Sequence, residues 1–319
     1  MMSQSHYFEP NANRPVVGRF APSPTGRMHA GNIYAALSAW LVAKSQGGTI
    51  VLRIEDLDRE RSKAEYITAV QRDFELLGLT WDRGPFFQHD RDEAYLEAFS
   101  ALERRGLVYP CFCTRADLHA ASAPHRGEKF VYPGTCRGLT AEQIAEKSMR
   151  RAPAQRLRVP DDTYSFEDMV QGRYKQNLAH DCGDFLIRRS DQAFAYQLAV
   201  VVDDAAQGVT SIVRGVDLLC STPQQLYLQE LLGLDHPRYA HIPLLVAEKN
   251  RRLSKRDHDA GIEELLARFK TPAAIIGHIA GICGLAPTCD PATPEQLLAT
   301  FDVARLPELF GDPVQIAWR

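Results

Sequence analysis

The stretch Gly18-Arg-Phe-Ala-Pro-Ser-Pro-Thr-Gly-Arg-Met-His-Ala-Gly-Asn32 constrains the fold more than any other part of the chain. Val16–Phe20 reads as a short buried strand. Beyond the Pro-rich loop, Ile33, Ala36, Leu37, Trp40 and Leu41 recur at helical spacing, Gly47-Gly48 ends that helix, and Thr49–Ile54 is a second, β-branched strand. These segments form a βαβ unit, whose crossover is right-handed and whose strands are parallel. The helix start, with its free N–H groups, is where such sheets bind phosphates and acidic ligands. Glu55 and Asp56 follow the second strand on that same side.

A chain of 319 residues with 45% hydrophobic and 24% charged content is expected to form two or three globular domains. The longest apolar run, near Ile33–Ala43, is too short to span a bilayer, so no membrane partner is expected. Residues 1–13 are polar, without a basic-then-apolar signal pattern, and read as a disordered lead-in to a cytoplasmic protein. Seven cysteines, an odd count without disulfide-framework spacing, fit a reducing compartment in which thiols are buried or metal-bound. Net charge is −3, yet Arg104–Arg158 carries eleven Lys/Arg against four Asp/Glu, a local +7. That segment fits either a docking surface for a polyanion or a plain solvated surface.

Lys63–Leu77 and Arg91–Arg105 read as amphipathic helices joined by Gly78-Leu-Thr-Trp-Asp-Arg-Gly-Pro85. Periodicity breaks down over Tyr109–Ala179, expected to be an insertion domain. Phe185–Ile187, Phe194–Val202, Val209–Val213 and Leu244–Val246 look like strands, and Pro223–Leu232 like a helix with Pro in its first turn. Ile262–Arg319 is weakly helical and punctuated by prolines.

Two motifs suggest a two-sided grip on ATP. In His29-Ala-Gly-Asn32, Gly31 admits close backbone approach and His29 can donate to phosphate oxygens, although four such residues alone mark only a helix start. In Arg252-Leu-Ser-Lys-Arg256, Lys255 is a mobile cation for phosphate and Ser254 orders the loop; basic loops are also common as solvated surface. Cys111, Cys113 and Cys136 form a metal candidate, and spacing alone nominates His119 or His125 as the fourth ligand. Cys182, Cys220, Cys283 and Cys289 show no ligand spacing and read as packing residues.

These motifs together resemble the class I aminoacyl-tRNA synthetases of the glutamyl branch. His29-Ala-Gly-Asn32 is similar to that class's HIGH signature, and Arg252-Leu-Ser-Lys-Arg256 to its KMSKS loop. Leu52-Arg-Ile-Glu-Asp-Leu-Asp58, Gly78–Pro85 and Val201-Val-Asp-Asp204…Ile212-Val-Arg-Gly-Val-Asp217 fall between them in the family's order. Only 64 residues follow Lys255, too few for the helical domains with which a full glutamyl-tRNA synthetase reads the anticodon. The chain therefore resembles more closely the truncated family of glutamyl-queuosine tRNA(Asp) synthetases.

The resemblance implies a doubly wound, Rossmann-type α/β catalytic domain in two halves, 14–108 and 180–249. A zinc-containing insertion would occupy 109–179, and the KMSKS-like loop with a short helical tail 250–319, with no anticodon-binding domain. It implies activation of L-glutamate with ATP and Mg2+ to glutamyl-adenylate, without tRNA, then transfer to queuosine in the anticodon loop of tRNA(Asp). His29, Gly31, Asn32, Ser254 and Lys255 would hold ATP, with His29 and Lys255 catalytic. Arg19, Phe20, Ala21, Pro22, Ser23, Glu55, Tyr196 and Arg214 would hold glutamate. Zn2+ would sit on Cys111, Cys113, Tyr132 and Cys136, with His125 as the physical alternative to Tyr132. A monomer is expected, and Asp203 and Asp204 have no assigned role. A minimal synthetase charging tRNA(Glu), a related nucleotidyltransferase and a non-catalytic RNA-binding paralogue remain alternatives.

Overall fold

The computed structural model describes residues 3–10, 13–114, 117, 131–247, 251–252, 261–310 and 315–318. Its N-terminal residues correct the expected lead-in: Ser5–Phe8 forms strand β1, paired in parallel with Thr163–Phe166. Phe8 stacks on Tyr164 at 5.3 Å, so aromatic contacts hold a segment whose composition reads as polar.

The βαβ unit forms as the periodicity requires. Strand β2 (Val17–Phe20), helix α1 (Ala30–Lys44) and strand β3 (Thr49–Ile54) follow one another, and β2 pairs with β3 in parallel. Helices α2 (Ala64–Leu76) and α3 (Asp92–Arg104) match the two amphipathic segments. The connection between them is not all loop, because Arg83–Phe87 forms β4, parallel to β3. Its Gly and Pro conceal it from a pattern search.

The chain then builds β5 (Val108–Cys111), α4 (Ala141–Arg150), β6 (Ala154–Leu157), β7 (Thr163–Asp168), β8 (Gly172–Asn177) and β9 (Phe185–Arg188). Strands β5, β6 and β9 make a small antiparallel sheet, whereas β7 belongs to the larger parallel layer. Phe194–Val202, expected as a strand, is mostly helix α5 (Tyr196–Ala206). Its β-branched valines favour a strand only weakly, and their burial in a core with α3 overrides that preference.

Strand β10 (Ser211–Gly215), helix α6 (Thr222–Leu232) and strand β11 (Arg238–Ile242) complete the layer, with β10 parallel to β11 and β11 meeting β7 at Tyr239 and Asp168. The two groups of strands join at Thr210: its N–H donates to the Val17 carbonyl at 2.9 Å, and its hydroxyl accepts from the Val17 N–H at 2.9 Å. The order is thus β4–β3–β2, then β10–β11–β7–β1. Chain direction across the layer reverses between β2 and β10, which leaves a crevice at their carboxyl ends.

Strands β12 (Leu244–Ala247), β13 (Arg251–Arg252) and β14 (Gln315–Ala317) form a further small sheet. The pairing of β14 with β12 corrects the all-helical expectation for the tail. Helices α7 (Ile262–Phe269), α8 (Pro272–Ile282), α9 (Pro294–Leu298) and α10 (Leu306–Phe310) share one hydrophobic core with α1. That explains why α1 is apolar nearly all round: Ile33, Leu37 and Leu41 are fully buried, and the Tyr34 ring meets Phe310 at 6.0 Å. Among the described residues no helix is long and apolar enough to cross a membrane. Cys283 is buried as expected, but Cys289 is exposed.

The turn from α1 into β3 depends on Gly48. A Cβ there would lie 2.5 Å from the Val16 carbonyl oxygen and 2.8 Å from that of Ala43, both backbone atoms that cannot swing aside. Gly48→Ala is expected to cost about 1–3 kcal/mol, measured as a lowered urea midpoint; an unchanged midpoint would show that the crossover relaxes freely.

Candidate active site

The crevice opens into a cavity of about 570 Å³. The end of β2 brings Arg19 and Phe20, the loop beyond it Ala21, Pro22 and Ser23, the start of α1 Asn32, the end of β3 Glu55, the start of α5 Tyr196, and β10 Arg214. All eight expected glutamate residues line this one space, although they are drawn from four separate stretches of sequence. A second cavity of about 650 Å³, lined by Arg59, Arg61, Arg188 and Phe194 among others, contains none of them. The smaller cavity is the candidate site because the convergent charged groups are there.

Its floor is an ion network. Arg53 is fully buried; one Nη1 hydrogen bond reaches Asp204 Oδ1 at 2.6 Å, another reaches Gln207 Oε1 at 3.0 Å, and Nη2 donates to Glu55 Oε1 at 3.2 Å. Arg19 lies 3.7 Å from the same Asp204 oxygen and donates through Nη1 to the Val213 carbonyl at 3.0 Å. Burial opposes the Arg53 charge, but Asp204, Glu55 and Asp203 outweigh it and hold its pKa above the ordinary value. Burial lowers the pKa of Arg19, against the pull of Asp204. For Glu55 burial pushes the carboxyl pKa up, while Arg53 and Arg19 pull it back. Tyr196 is raised by burial and then by Glu55.

Asp203 and Asp204 thereby acquire positions. Asp203 accepts from Tyr95 Oη at 2.7 Å, Gln88 Nε2 at 2.9 Å and Arg91 Nε at 3.0 Å, tying α5 to α3 and the segment before it. Asp204 serves the two arginines. Arg53 stands inside the Leu52–Asp58 motif but was not singled out there; a charged residue inside a β-branched strand is the signal that marks it.

Arg214 is held by Thr222 Oγ1, which accepts from Nη2 at 2.8 Å, and by His241 Nε2, which accepts from Nε at 3.0 Å. Its Nη1 is buried and has no hydrogen-bond partner among the described residues. A guanidinium so placed can take a carboxylate oxygen.

At the neighbouring helix start, the Asn32 side chain accepts from the His29 N–H at 3.1 Å, which stabilises the first turn of α1. A Cβ on Gly31 would press to 3.1 Å from the His29 ring, so glycine leaves the imidazole its place. His29 also forms a bridge with Gly261. Ser254 and Lys255 lie outside the described residues, as does His125.

The third constellation stands apart. The Sγ atoms of Cys111, Cys113 and Cys136 all lie within 4.8 Å of one another. Tyr132 Oη is 3.5 Å from Cys111 Sγ and 3.9 Å from Cys113 Sγ, and it accepts from the Cys136 N–H at 2.9 Å. Burial would raise the Cys111 thiol, but hydrogen bonds from Tyr132 and Arg156 hold it below its usual range; burial and the Cys111 charge push Cys113 up to about 12. Three thiols and a phenol converging around one point form a donor set that could hold a metal ion.

Replacing Asp204 by Ala would strand Arg53 in the interior with one anion fewer. The expected loss is about 3–5 kcal/mol of folding stability in urea titration; a loss below about 1 kcal/mol would mean that water takes the place of the carboxylate.

The catalytic-domain model of class I tRNA synthetases (E and Q) matches residues 15–283. A glutamyl-Q tRNA(Asp) synthetase of Nitratidesulfovibrio vulgaris is 44% identical over 303 residues, 92% of this chain and 94% of that protein. One from Symbiobacterium thermophilum is 42% identical over 315 residues, covering 94% and 96% respectively. Among solved structures, a glutamate tRNA ligase from Elizabethkingia meningosepticum, in complex with its amino acid, aligns with a TM-score of 0.78 at 25% identity, over 95% of this chain and 67% of that one. Matched by the catalytic-domain model over most of its length and by these relatives almost end to end, the chain belongs to the class I glutamyl and glutaminyl tRNA synthetase family, in its glutamyl-Q tRNA(Asp) synthetase branch.

Proposed function

We propose that the protein activates L-glutamate with ATP, without tRNA, and transfers it to queuosine in the anticodon loop of tRNA(Asp). The observation that carries this reading is the cavity in which Arg19 and Arg214 converge with Glu55 and Tyr196. An amino acid with two carboxylates and an ammonium needs two cationic partners and one anion, and guanidinium forks suit carboxylates. The names of its relatives agree, and the strand order supports a doubly wound catalytic domain.

In the first step the glutamate α-carboxylate attacks the α-phosphorus of ATP, and pyrophosphate leaves with the electrons of the broken P–O bond. His29, at the start of α1, would stabilise the phosphate as charge develops, and Lys255 would hold the departing phosphates. Mg2+ bound with ATP would supply neutralisation of its phosphate charge. In the second step a hydroxyl of the queuosine cyclopentene ring attacks the acyl carbonyl, and AMP leaves. A single-stranded loop can be splayed toward such a crevice, and the basic stretch 104–158 would clamp its backbone.

The halves 14–108 and 180–249 would form the catalytic domain around the 109–179 insertion, with β7 returning from the insertion to the parallel layer. Cys111, Cys113, Tyr132 and Cys136 would hold Zn2+, whose role is to staple a segment with only a small core of its own. Purified protein is expected to carry about one zinc per chain and to lose it in Cys136→Ser; metal analysis finding no zinc in the wild type would overturn that assignment.

Glutamate-dependent ATP–pyrophosphate exchange should proceed without RNA, and neither glutamine nor aspartate should replace glutamate. Exchange that appears only with tRNA(Glu) would favour the minimal synthetase instead. His29→Ala and Lys255→Ala are each expected to slow exchange on the order of 10²–10³-fold with the fold intact; undiminished exchange in both would sink the proposed ATP grip.

A further inference from the structure

The ordering of Arg214 has a second layer. His241 is fully buried on β11, and its Nε2 accepts from Arg214 Nε. An acceptor at Nε2 requires the neutral ring with its proton on Nδ1. Asp168, at the end of β7, supplies the reason for that tautomer: its Oδ2 lies 2.5 Å from His241 Nδ1. The other oxygen, Oδ1, accepts three backbone N–H groups, from Gln171 at 2.9 Å, Val170 at 3.0 Å and His241 at 3.1 Å. The carboxylate is thereby locked in rotation, with one oxygen saturated by the backbone and the other committed to the imidazole.

We propose that Asp168 and His241, with Thr222, are positioning residues for amino-acid binding: they fix the Arg214 guanidinium so that Nη1 is kept for a substrate carboxylate. Nε and Nη2 each have a buried acceptor, and Nη1 is the guanidinium nitrogen without one among the described residues. A guanidinium held at two nitrogens loses little freedom when it binds, so affinity for the amino acid depends on groups that never touch it. None of the three stands in the motifs that mark the family, because β7, β11 and α6 meet only in the folded sheet. The inference rests on the glutamate-activating reading of this cavity.

Asp168→Asn tests it with an isosteric change. The three backbone N–H groups would keep the amide oxygen, which turns the amide NH2 toward His241 Nδ1. The imidazole would then carry its proton on Nε2, facing the Arg214 Nε–H donor to donor. The expected result in glutamate-dependent pyrophosphate exchange is a KM for glutamate raised on the order of 10–100-fold, with the KM for ATP unchanged. Thr222→Val should act in the same direction, whereas Thr222→Ser should keep wild-type behaviour. If Asp168→Asn does not fold, the two Thr222 variants decide alone. An unchanged glutamate KM in folded Asp168→Asn or Thr222→Val, or equal changes toward glutamate and ATP, would overturn the proposal. Absence of glutamate-dependent exchange in the wild type would instead overturn the underlying functional reading.

Discussion

Two arginines share one buried carboxylate, and the site is arranged around that sharing. Asp204 takes Arg53 at 2.6 Å and Arg19 at 3.7 Å, which binds β2, β3 and α5 at the bottom of the crevice. Charges out of water are costly unless paired, so each partner restricts where the others can stand. Glu55 shares Arg53 with Asp204, pairing with it at 3.2 Å, and still lines the cavity. The adjacent Asp203 and Asp204 serve opposite neighbours because consecutive residues on a helix point about 100° apart. A strand at this position, as the valines suggest, would have turned one of them half a revolution away and split the network differently.

The electrostatics of the cavity follow from burial and from unequal pairing. Arg19 and Arg214 are both nearly inaccessible to solvent, yet Arg214 Nη1 has no hydrogen-bond partner among the described residues. Desolvated guanidinium groups attract an incoming carboxylate far more strongly than exposed ones do. At Glu55 burial raises the carboxyl pKa, while Arg53 and Arg19 pull it back toward the charged form. The arrangement is preorganised: hydrogen bonds to Val213, Thr222 and His241 hold the donors in place before any ligand arrives.

Stability is divided among cores of unequal size. One core wraps α1 with the C-terminal helices, a second joins α3, α5 and α6 to the sheet, and the third amounts to Tyr109, Tyr132 and the cysteines with a few partly buried neighbours. Among the described residues the third is small, and Arg156 adds to it a guanidinium stacked 3.7 Å from the centre of the Tyr132 ring. The donor set converging there could hold a metal ion.

Local pattern and motif determined a great deal. The βαβ unit, the helix start at His29 and the three thiols were legible, since each depends on periodicity, turn chemistry or spacing along a short stretch, whereas the eight cavity residues came only with the resemblance to the family. Tertiary structure decided what depends on pairing across long separations. Ser5–Phe8 is a strand only because β7 offers it an edge, Gln315–Ala317 only because β12 does. Arg53 needed Asp204, 151 residues away, before its burial made sense, and the Asp168–His241 pair spans 73 residues. Sequence carries hydrophobic period and the residue types that begin and end elements. Which buried charge meets which is settled by desolvation, and desolvation exists only once the layers have packed.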